Sequence, residues 1–336
     1  MNTILITAAQ MQQLFTEILI KNGMTEEAAT SCAAVFTQNS VDGVYTHGYN
    51  RFARFVQYIQ KGWVKTNVQP KCVYQFNGME QWDGQLGAGI LNAIHCTNRV
   101  VTLAKQSGIG CVALQNTNHW MRGGTYAWQA TQHNVVFIAW TNTIANMPAW
   151  GAVNAKLGNN PLVIGLPYNN SAIVLDMAMS QYSFGAMELA AMKKQEFPVA
   201  AGFNQNNQFT NKPAEVLQTR RPLPIGYWKG AGLALLLDIL AAVLSGGLAT
   251  THISGQQAEK SLSQVFIAID INKLPNHSAI PTLLNTIIDD YRLSIAQDEA
   301  SRITYPGERV LQTRQNNMAN GIPVLQNIWQ TIEALK

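Results

Sequence analysis

A histidine and an arginine four residues apart are the first candidates for chemistry in this chain. His47 and Arg51 follow the turn at Asp42-Gly43, and a helix beginning near His47 would place both side chains on one face. The positive end of a helix dipole and a nearby guanidinium both lower the pKa of an imidazole. This pattern predicts a general acid or base beside an anion-binding arginine. It also fits a histidine that caps or packs at a helix junction.

A second histidine lies in a loop that carries polar, aromatic, basic and glycine residues together. His119 follows the predicted strand over 111–115, and Trp120 and Arg122 come directly after it. Ligand sites in α/β folds favour the carboxyl ends of strands. The loop therefore predicts part of a substrate pocket. The alternative is a structured turn whose histidine is hydrogen-bonded.

Two further segments contain a charged residue at the start of a predicted helix. Lys229 follows Trp228 and opens an apolar helix, where backbone amides and a lysine favour a phosphate group. The alternative is a lysine that only extends its charge to solvent. Residues 306–309 form the second segment, which also reads as an ordinary helix start.

The common nucleotide-binding motifs are absent. Residues 108–113 match G-x-G-x-x-A as a string, but the predicted helix precedes the string and the predicted strand follows it. The dinucleotide fingerprint requires the opposite order, so that helix amides face the pyrophosphate. No GxxxxGK[ST] or GxSxG motif occurs. These absences argue against a standard Rossmann domain.

Composition excludes several other classes. Only 12% of the 336 residues are charged, 47% are hydrophobic and the net charge is +4, which fits neither a disordered chain nor a nucleic-acid-binding surface. The most apolar stretch, residues 231–244, is interrupted by Asp238 and falls short of the roughly 20 residues that span a membrane. Four scattered cysteines predict neither disulfides nor a metal site. With no readable signal peptide, we expect a cytoplasmic protein with no nucleic-acid or membrane partner.

Helices and strands alternate in the middle of the chain, which predicts an α/β or mixed α+β class. The helices are expected over 8–21, from 25 to about 39, and over 51–60 (capped by Asn50), 86–105, 125–132, 230–244, 283–295, 308–318 and 324–335; the strands are expected over 71–76, 111–115, 135–140, 172–175 and 265–271.

This order predicts two structural parts. A helical N-terminal part over 1–70 is expected to pack with C-terminal helices over 306–336. The remaining part, 71–305, is expected to hold cofactor and substrate, with an excursion over the proline-rich residues 197–228.

Several strings, in order across nearly the whole chain, resemble the type-2 malate/L-lactate dehydrogenase family, whose members include sulfolactate dehydrogenase-like reductases. The strings occupy residues 43–51, 118–129, 140–142, 147–151, 158–162, 175–180, 227–230 and 306–308. Residues 185–188 lack the lysine that is typical of the family, which favours the branch that reduces diketogulonate.

The resemblance implies a homodimeric enzyme that binds NADH in a non-Rossmann domain with a mixed sheet, with NADPH left open. It implies reduction of 2,3-diketo-L-gulonate, a keto sugar acid, to 3-keto-L-gulonate. In this interpretation His47 is the proton donor, His119 is a second candidate acid or base, and Arg51 binds the substrate carboxylate. The residues implied in cofactor binding are Thr143, Ala172, Ile173, Val174, Leu175, Asp176, Met177, Ala178, Trp228, Lys229, Gly307, Glu308 and Arg309.

Two alternatives stay open at this point. Another 2-hydroxy acid of the same family, such as malate, L-lactate, sulfolactate or ureidoglycolate, could be the substrate. A non-catalytic sugar-acid-binding protein is the alternative of another class, since Trp120, Trp128 and Trp150 suit a sugar-binding face.

Overall fold

The structure is a computed structural model that describes residues 2–299 and 301–336. Its α-helices are α1 (Ala8–Lys21), α2 (Glu26–Val41), α3 (Tyr49–Gln60), α4 (Gly89–Ser107), α5 (Gly123–Thr131), α6 (Phe184–Met192), α7 (Pro213–Thr219), α8 (Trp228–Ser245), α9 (Thr250–Ile253), α10 (Ile280–Arg292), α11 (Glu308–Asn320) and α12 (Gln326–Glu333).

The strands are β1 (Thr3–Ile6), β2 (Lys71–Phe76), β3 (Met79–Asp83), β4 (Ile109–Thr117), β5 (Val135–Thr141), β6 (Met147–Pro148), β7 (Ala155–Leu157), β8 (Leu162–Tyr168), β9 (Ser171–Met177), β10 (Gly202–Phe203), β11 (Phe209–Thr210), β12 (Leu262–Asp270) and β13 (Ile322–Leu325).

A seven-stranded mixed sheet forms the centre, in the order β2-β3-β4-β12-β5-β8-β9. Only the β3–β4 pair is parallel, and β9 forms one edge. Side chains alternate between the two faces, as strand geometry requires. Val112 and Phe266 pack with α4 and α5 on one face, whereas Ala113 and Val265 pack with α8 on the other.

The two ends of the chain share a second core. Thr7 caps α1 through a reciprocal capping box with Gln10, which fixes where the first helix begins. The buried rings of Phe15 and Phe52 stack at 3.9 Å between α1 and α3. β1 pairs antiparallel with β13, so C-terminal residues such as Ile332 join the same core. The expected domain boundaries at 70 and 306 remain predictions.

The expected α/β class with a mixed sheet is confirmed, whereas several boundaries were wrong. Gly48, not Asn50, precedes α3. The last predicted helix begins at Gln326, because Val324 and Leu325 pair with β1. β3, β8 and the terminal strand pair were not predicted. The G-x-G-x-x-A string over 108–113 lies between a helix and a strand, in the order expected from the sequence, since Gly108 caps the end of α4 and β4 begins at the next residue.

The excursion over 197–228 contains β10, β11 and α7. These elements pack with α6 around Met187, Ala201 and Val216, forming a small cluster of their own.

Within the described residues, α8 is the one helix long and apolar enough to span a membrane by length and composition. One side of α8 packs on the sheet through Ala234 and Ala241, and its Asp238 accepts hydrogen bonds from Asn142 Nδ2 (2.9 Å) and Thr250 N (2.8 Å). We define the opposite side as the α8 outer face; its exposed apolar residues are Leu235, Leu236, Ile239, Leu240 and Val243.

Candidate active site

His47 ends a short 3-10 turn between α2 and α3, one residue before the glycine that precedes α3. Asn39 Nδ2 donates to the His47 carbonyl (2.9 Å), and Ser40 Oγ accepts from Tyr49 N (3.0 Å), so α2 holds the turn at two points. A Cβ on Gly48 would lie 2.3 Å from Ser40 Oγ. Glycine is therefore required at this position for the close approach of the two helices.

His119 comes to the same place from the loop after β4. Its Nδ1 accepts a hydrogen bond from Met121 N (2.9 Å), an assignment that leaves the proton of the neutral ring on Nε2. The rings of His47 and His119 are nearly parallel, with centroids 5.8 Å apart and an angle of 18°. The structure thus brings together two histidines that are far apart in the sequence.

The surroundings keep both imidazoles neutral at physiological pH. Burial, together with the charges of Arg51 and Arg122, lowers the pKa of His47 to about 3. Burial, followed by the charges of Arg51, His47 and Arg54, lowers the pKa of His119 well below its usual value. The cause is physical in both cases, because desolvation and neighbouring positive charges both disfavour the imidazolium form.

Arg51 lies on α3 within the same cluster, with its side chain 21% exposed. Its Nη2 donates to Glu259 Oε2 at 3.0 Å. A small cleft adjoins Arg51 and His119 and is lined by Arg51, Arg54, Phe55, Tyr58, Val64, Asn118, His119 and Met121. The cleft is therefore positively charged and has an apolar wall.

Arg122 and Trp120 do not line this cleft. Arg122 is 5% exposed and forms an ion pair with Asp42, while its Nε lies 3.9 Å from Asp176 Oδ2. Trp120 is 1% exposed and packs against Tyr126 and Phe266 in the sheet core. Both side chains are therefore buried among residues of the chain itself, and their contact with substrate stays a prediction.

Two of the three segments expected to bind the cofactor, residues 172–178 and 306–309, meet at the sheet edge. Val174 N on β9 donates to the Pro306 carbonyl at 3.1 Å. A Cβ on Gly307 would lie 3.2 Å from Trp128 Cζ2 and from Val174 N, so glycine is needed here, where φ is +94°. Residues 172–178 and 306–309 therefore form one continuous wall.

Some polar groups along this wall already have hydrogen-bond partners, and one does not. Gly124 N donates to Asp176 Oδ2 (2.7 Å), and burial raises the pKa of the Asp176 carboxyl despite the nearby Arg122. The buried Trp128 Nε1 has no hydrogen-bond partner within the described part of the chain. Glu308 accepts from Arg292 (3.1 Å) and from Tyr305 N (3.2 Å), and Arg309 is exposed. An unused donor beside Gly307 fits a polar cofactor.

The remaining segment expected to bind the cofactor, Trp228 and Lys229, is joined to β9 indirectly. Ile225 N donates to the carbonyl of Met179, two residues after the end of β9, at 2.8 Å. Trp228 and Lys229 begin α8 three residues after Ile225. Trp228 is 64% exposed. Thr143 is 4% exposed, and its backbone N donates to Asn160 Oδ1 at 3.0 Å. Thr143 is therefore buried, and its Oγ1 donates to Asn159 Oδ1 at 3.2 Å.

Sequence reasoning missed four polar residues around the histidines. Arg54 could have been found, since His47, Arg51 and Arg54 follow helical spacing. Asp42 and Arg314, joined at 2.7 Å, and Glu259 gave no signal, because their partners are distant in the sequence. Across residues 2–299 and 301–336, no three His, Cys, Asp or Glu side chains group so as to hold a metal ion.

Comparisons with known proteins agree with this geometry. A family model described as malate/L-lactate dehydrogenase matches residues 6–333. Proteins named 2,3-diketo-L-gulonate reductase from Citrobacter koseri and Escherichia coli are 38% identical over 331 residues, covering 98% of this chain and 99% of each relative.

Solved structures show the same fold. A sulfolactate dehydrogenase from Methanocaldococcus jannaschii superposes with a TM-score of 0.90 at 26% identity, covering 99% of this chain and 96% of that chain. A malate dehydrogenase from Entamoeba histolytica gives a TM-score of 0.94 at 22% identity, covering 99% and 97%. The chain therefore belongs to the malate/L-lactate dehydrogenase family and is an oxidoreductase that acts on CH–OH groups.

Proposed function

We propose that this protein reduces 2,3-diketo-L-gulonate to 3-keto-L-gulonate with NADH. The observation that carries the proposal is the pair of facing histidines, of which His119 lines a positively charged cleft together with Arg51 and Arg54. An anionic keto acid matches that charge, and the named relatives are 38% identical over nearly the whole chain. The substrate is a small keto sugar acid, and we propose that the enzyme works in the cytoplasm.

The roles of the residues follow from their chemistry. Arg51 binds the substrate carboxylate, for which a planar guanidinium is well suited. His47 protonates the oxygen of the reduced carbonyl, and His119 polarises the same oxygen through Nε2–H. Burial and then the charges of Arg51 and Arg122 lower the pKa of His47, and a bound carboxylate offsets the Arg51 contribution, which favours proton uptake at this ring.

The cofactor belongs, in this proposal, along the wall formed by residues 172–178 and 307–309, with Trp228, Lys229 and Thr143 nearby. When bound, the nicotinamide supplies the hydride for the carbonyl carbon. The unpartnered Trp128 Nε1 and the close approach at Gly307 support this position. Asp176 is suited to a polar contact with the cofactor, since its side chain is 23% exposed and desolvation raises the pKa of its carboxyl.

A substrate panel tests the proposal directly. NADH or NADPH is mixed with 2,3-diketo-L-gulonate, pyruvate, oxaloacetate, sulfopyruvate and oxalurate, and loss of the reduced-nicotinamide absorbance is followed. We expect the highest kcat/KM for the diketo sugar acid with NADH. A higher value for another acid assigns the enzyme to the corresponding reaction of the family, whereas a higher value with NADPH contradicts the cofactor proposal.

The alternative of a non-catalytic sugar-acid-binding protein has less support. The three tryptophans that suggested a sugar face are scattered: Trp120 is buried, Trp128 is half-buried, and Trp150 is 45% exposed beside Tyr227. Calorimetry separates the two functions, because a binding protein would bind the sugar acid tightly and show no affinity for NADH.

Replacing Arg51 with lysine is expected to raise KM for the keto acid about 10- to 100-fold. One charge-assisted hydrogen bond contributes about 1.5–3 kcal/mol, and lysine cannot supply a planar pair of donors. Steady-state kinetics should show little change in KM for NADH. An unchanged KM for the keto acid would remove Arg51 from substrate binding.

We also propose that a second copy of the chain covers the α8 outer face. Several large apolar side chains are exposed there, including Leu236 (55%) and Val243 (68%), and such patches mark association surfaces. The opposite side of α8 packs on the chain's own sheet, with Asp238 hydrogen-bonded inside, which favours a protein partner over lipid.

Leu236→Lys is expected to convert a homodimer into monomers, measured by sedimentation or light scattering. A lysine charge buried in an apolar interface lacks an ionic partner. Its desolvation therefore costs more free energy than the apolar contacts of the interface contribute. Leu293→Lys is the control, because Leu293 is 80% exposed and follows α10, outside the α8 outer face as defined. A wild-type monomer, or dissociation by Leu293→Lys instead, would contradict this interface.

A further inference from the structure

A glutamate from a distant loop contacts the candidate substrate-binding arginine. Glu259 lies between α9 and β12, 208 residues after Arg51, and its Oε2 accepts from Arg51 Nη2 at 3.0 Å. The Glu259 side chain is 12% exposed and that of Arg51 is 21% exposed. The pair is thus largely shielded from solvent and ties the helical part of the chain to the sheet part beside the cleft.

The contact uses one edge of the guanidinium. Arginine carries five N–H donors in a rigid plane, and within the described residues the Arg51 side chain donates no other hydrogen bond. The remaining donors are available to a ligand in the cleft that Arg51 lines together with Arg54 and His119. A flexible side chain held at one edge loses less rotamer freedom when its other donors bind a carboxylate.

Glu259 also balances charge at a crowded site. Arg51 and Arg54 both line the cleft. Without an acidic neighbour, the two positive charges would repel each other, and Arg51 would tend to turn toward solvent. The Arg51–Glu259 contact is a single hydrogen bond, not a bidentate pair. It therefore leaves Arg51 able to bind a second carboxylate without first breaking the ion pair.

We propose that Glu259 is a positioning residue, which holds the Arg51 guanidinium so that its free edge faces the carboxylate of the substrate. This inference rests on the proposed function for the nature of the ligand. It assigns the loop before β12 a part in substrate affinity that the motifs of the sequence do not indicate.

A set of variants tests the proposal: Glu259→Ala, Glu259→Gln, Arg51→Lys and the double variant Arg51→Lys/Glu259→Ala. Glu259→Ala is expected to raise KM for the keto acid on the order of tenfold, equal to about 1.4 kcal/mol, the scale of one coupled contact. We expect kcat and KM for NADH to stay within twofold. Glu259→Gln keeps an oxygen acceptor and should restore part of the affinity.

The double variant separates positioning from a general structural effect. If Glu259 acts through Arg51, removing it from the Arg51→Lys protein should change KM less than twofold. Glu215→Gln is the matched control, since Glu215 forms an exposed ion pair with Lys212 on α7. Additive effects would overturn the proposal, and so would a lower KM for Glu259→Ala, which would mean that Glu259 competes with the substrate.

A binding measurement distinguishes failure of this inference from failure of the proposed function. Oxamate, an unreactive analogue of a 2-keto acid, is titrated calorimetrically into each variant with NADH present. Weaker oxamate binding by Glu259→Ala is expected even if no acid in the panel is reduced. Equal binding by wild type and Glu259→Ala would refute the positioning role, whatever the substrate is.

Discussion

Replacing His47 with alanine is expected to lower kcat about 10²–10⁴-fold, the usual contribution of a general acid. The ring faces that of His119 at 5.8 Å, and the charge of Arg51 acts on it. NADH affinity, measured by fluorescence titration, should persist because the proposed cofactor wall lies on β9 and at Gly307. A drop in both kcat and NADH affinity would indicate collapse of the site.

Two further histidine variants sharpen this prediction. His119→Ala is expected to lower kcat less than His47→Ala, because His119 is proposed only to polarise the carbonyl oxygen. His133→Ala is the control, since that residue is exposed in a loop. Unchanged turnover in His47→Ala, with a large loss in His119→Ala, would exchange the two roles.

The fold was predictable where one strong local signal dominated. The cap at Thr7 fixed the start of α1, and the apolar run that begins at Gly230 marked α8. β8 was missed because Gly165 and Pro167 interrupt it, and both residues weaken a strand pattern. The structure explains Gly165, since a Cβ there would lie 2.9 Å from the Ala127 Cβ of α5. That constraint comes from packing across the sheet and leaves no trace in local spacing.

The site was predictable only where its residues share a turn or a helix. His47 and Arg51 are neighbours in the sequence, so spacing and charge sufficed to connect them. The approach of His119 to His47, and of Glu259 to Arg51, depends on how β4 and β12 lie beside α3. The partner of Arg122 was equally hidden, because a basic residue in a glycine-rich loop gives no sign of the buried ion pair that it forms with Asp42.

Asp42→Asn is expected to lower the free energy of unfolding by about 3–5 kcal/mol, the usual cost of breaking a buried ion pair. The Asp42 side chain is 1% exposed, binds Arg314 at 2.7 and 3.0 Å, and also pairs with Arg122, which is itself 5% exposed. Neutralising Asp42 leaves the buried Arg122 without its full countercharge. Urea denaturation measures the loss, with Asp290→Asn on the exposed side of α10 as the control.

The same ion pairs set how this stabilisation depends on pH. Burial of Asp42 raises its pKa, but the hydrogen bonds and charges of Arg314 and Arg122 outweigh burial, so the folded pKa lies below the usual value. A depressed carboxyl pKa stabilises the fold above the unfolded pKa of about 3.9, and this contribution is lost as pH falls through the folded pKa. The gap between wild type and Asp42→Asn should therefore be constant from pH 5 to 7 and shrink below about pH 4.

Activity should fall with stability in this variant, because Asp42 ends α2 directly before the turn that carries His47. Its partners come from the loop before α5 and from α11, so one carboxylate joins three distant parts of the chain next to the histidine pair. In the folded Asp42→Asn protein we expect a lower kcat for the keto acid at pH 7. A folded variant with wild-type kcat would show that the ion pairs stabilise the fold without orienting His47.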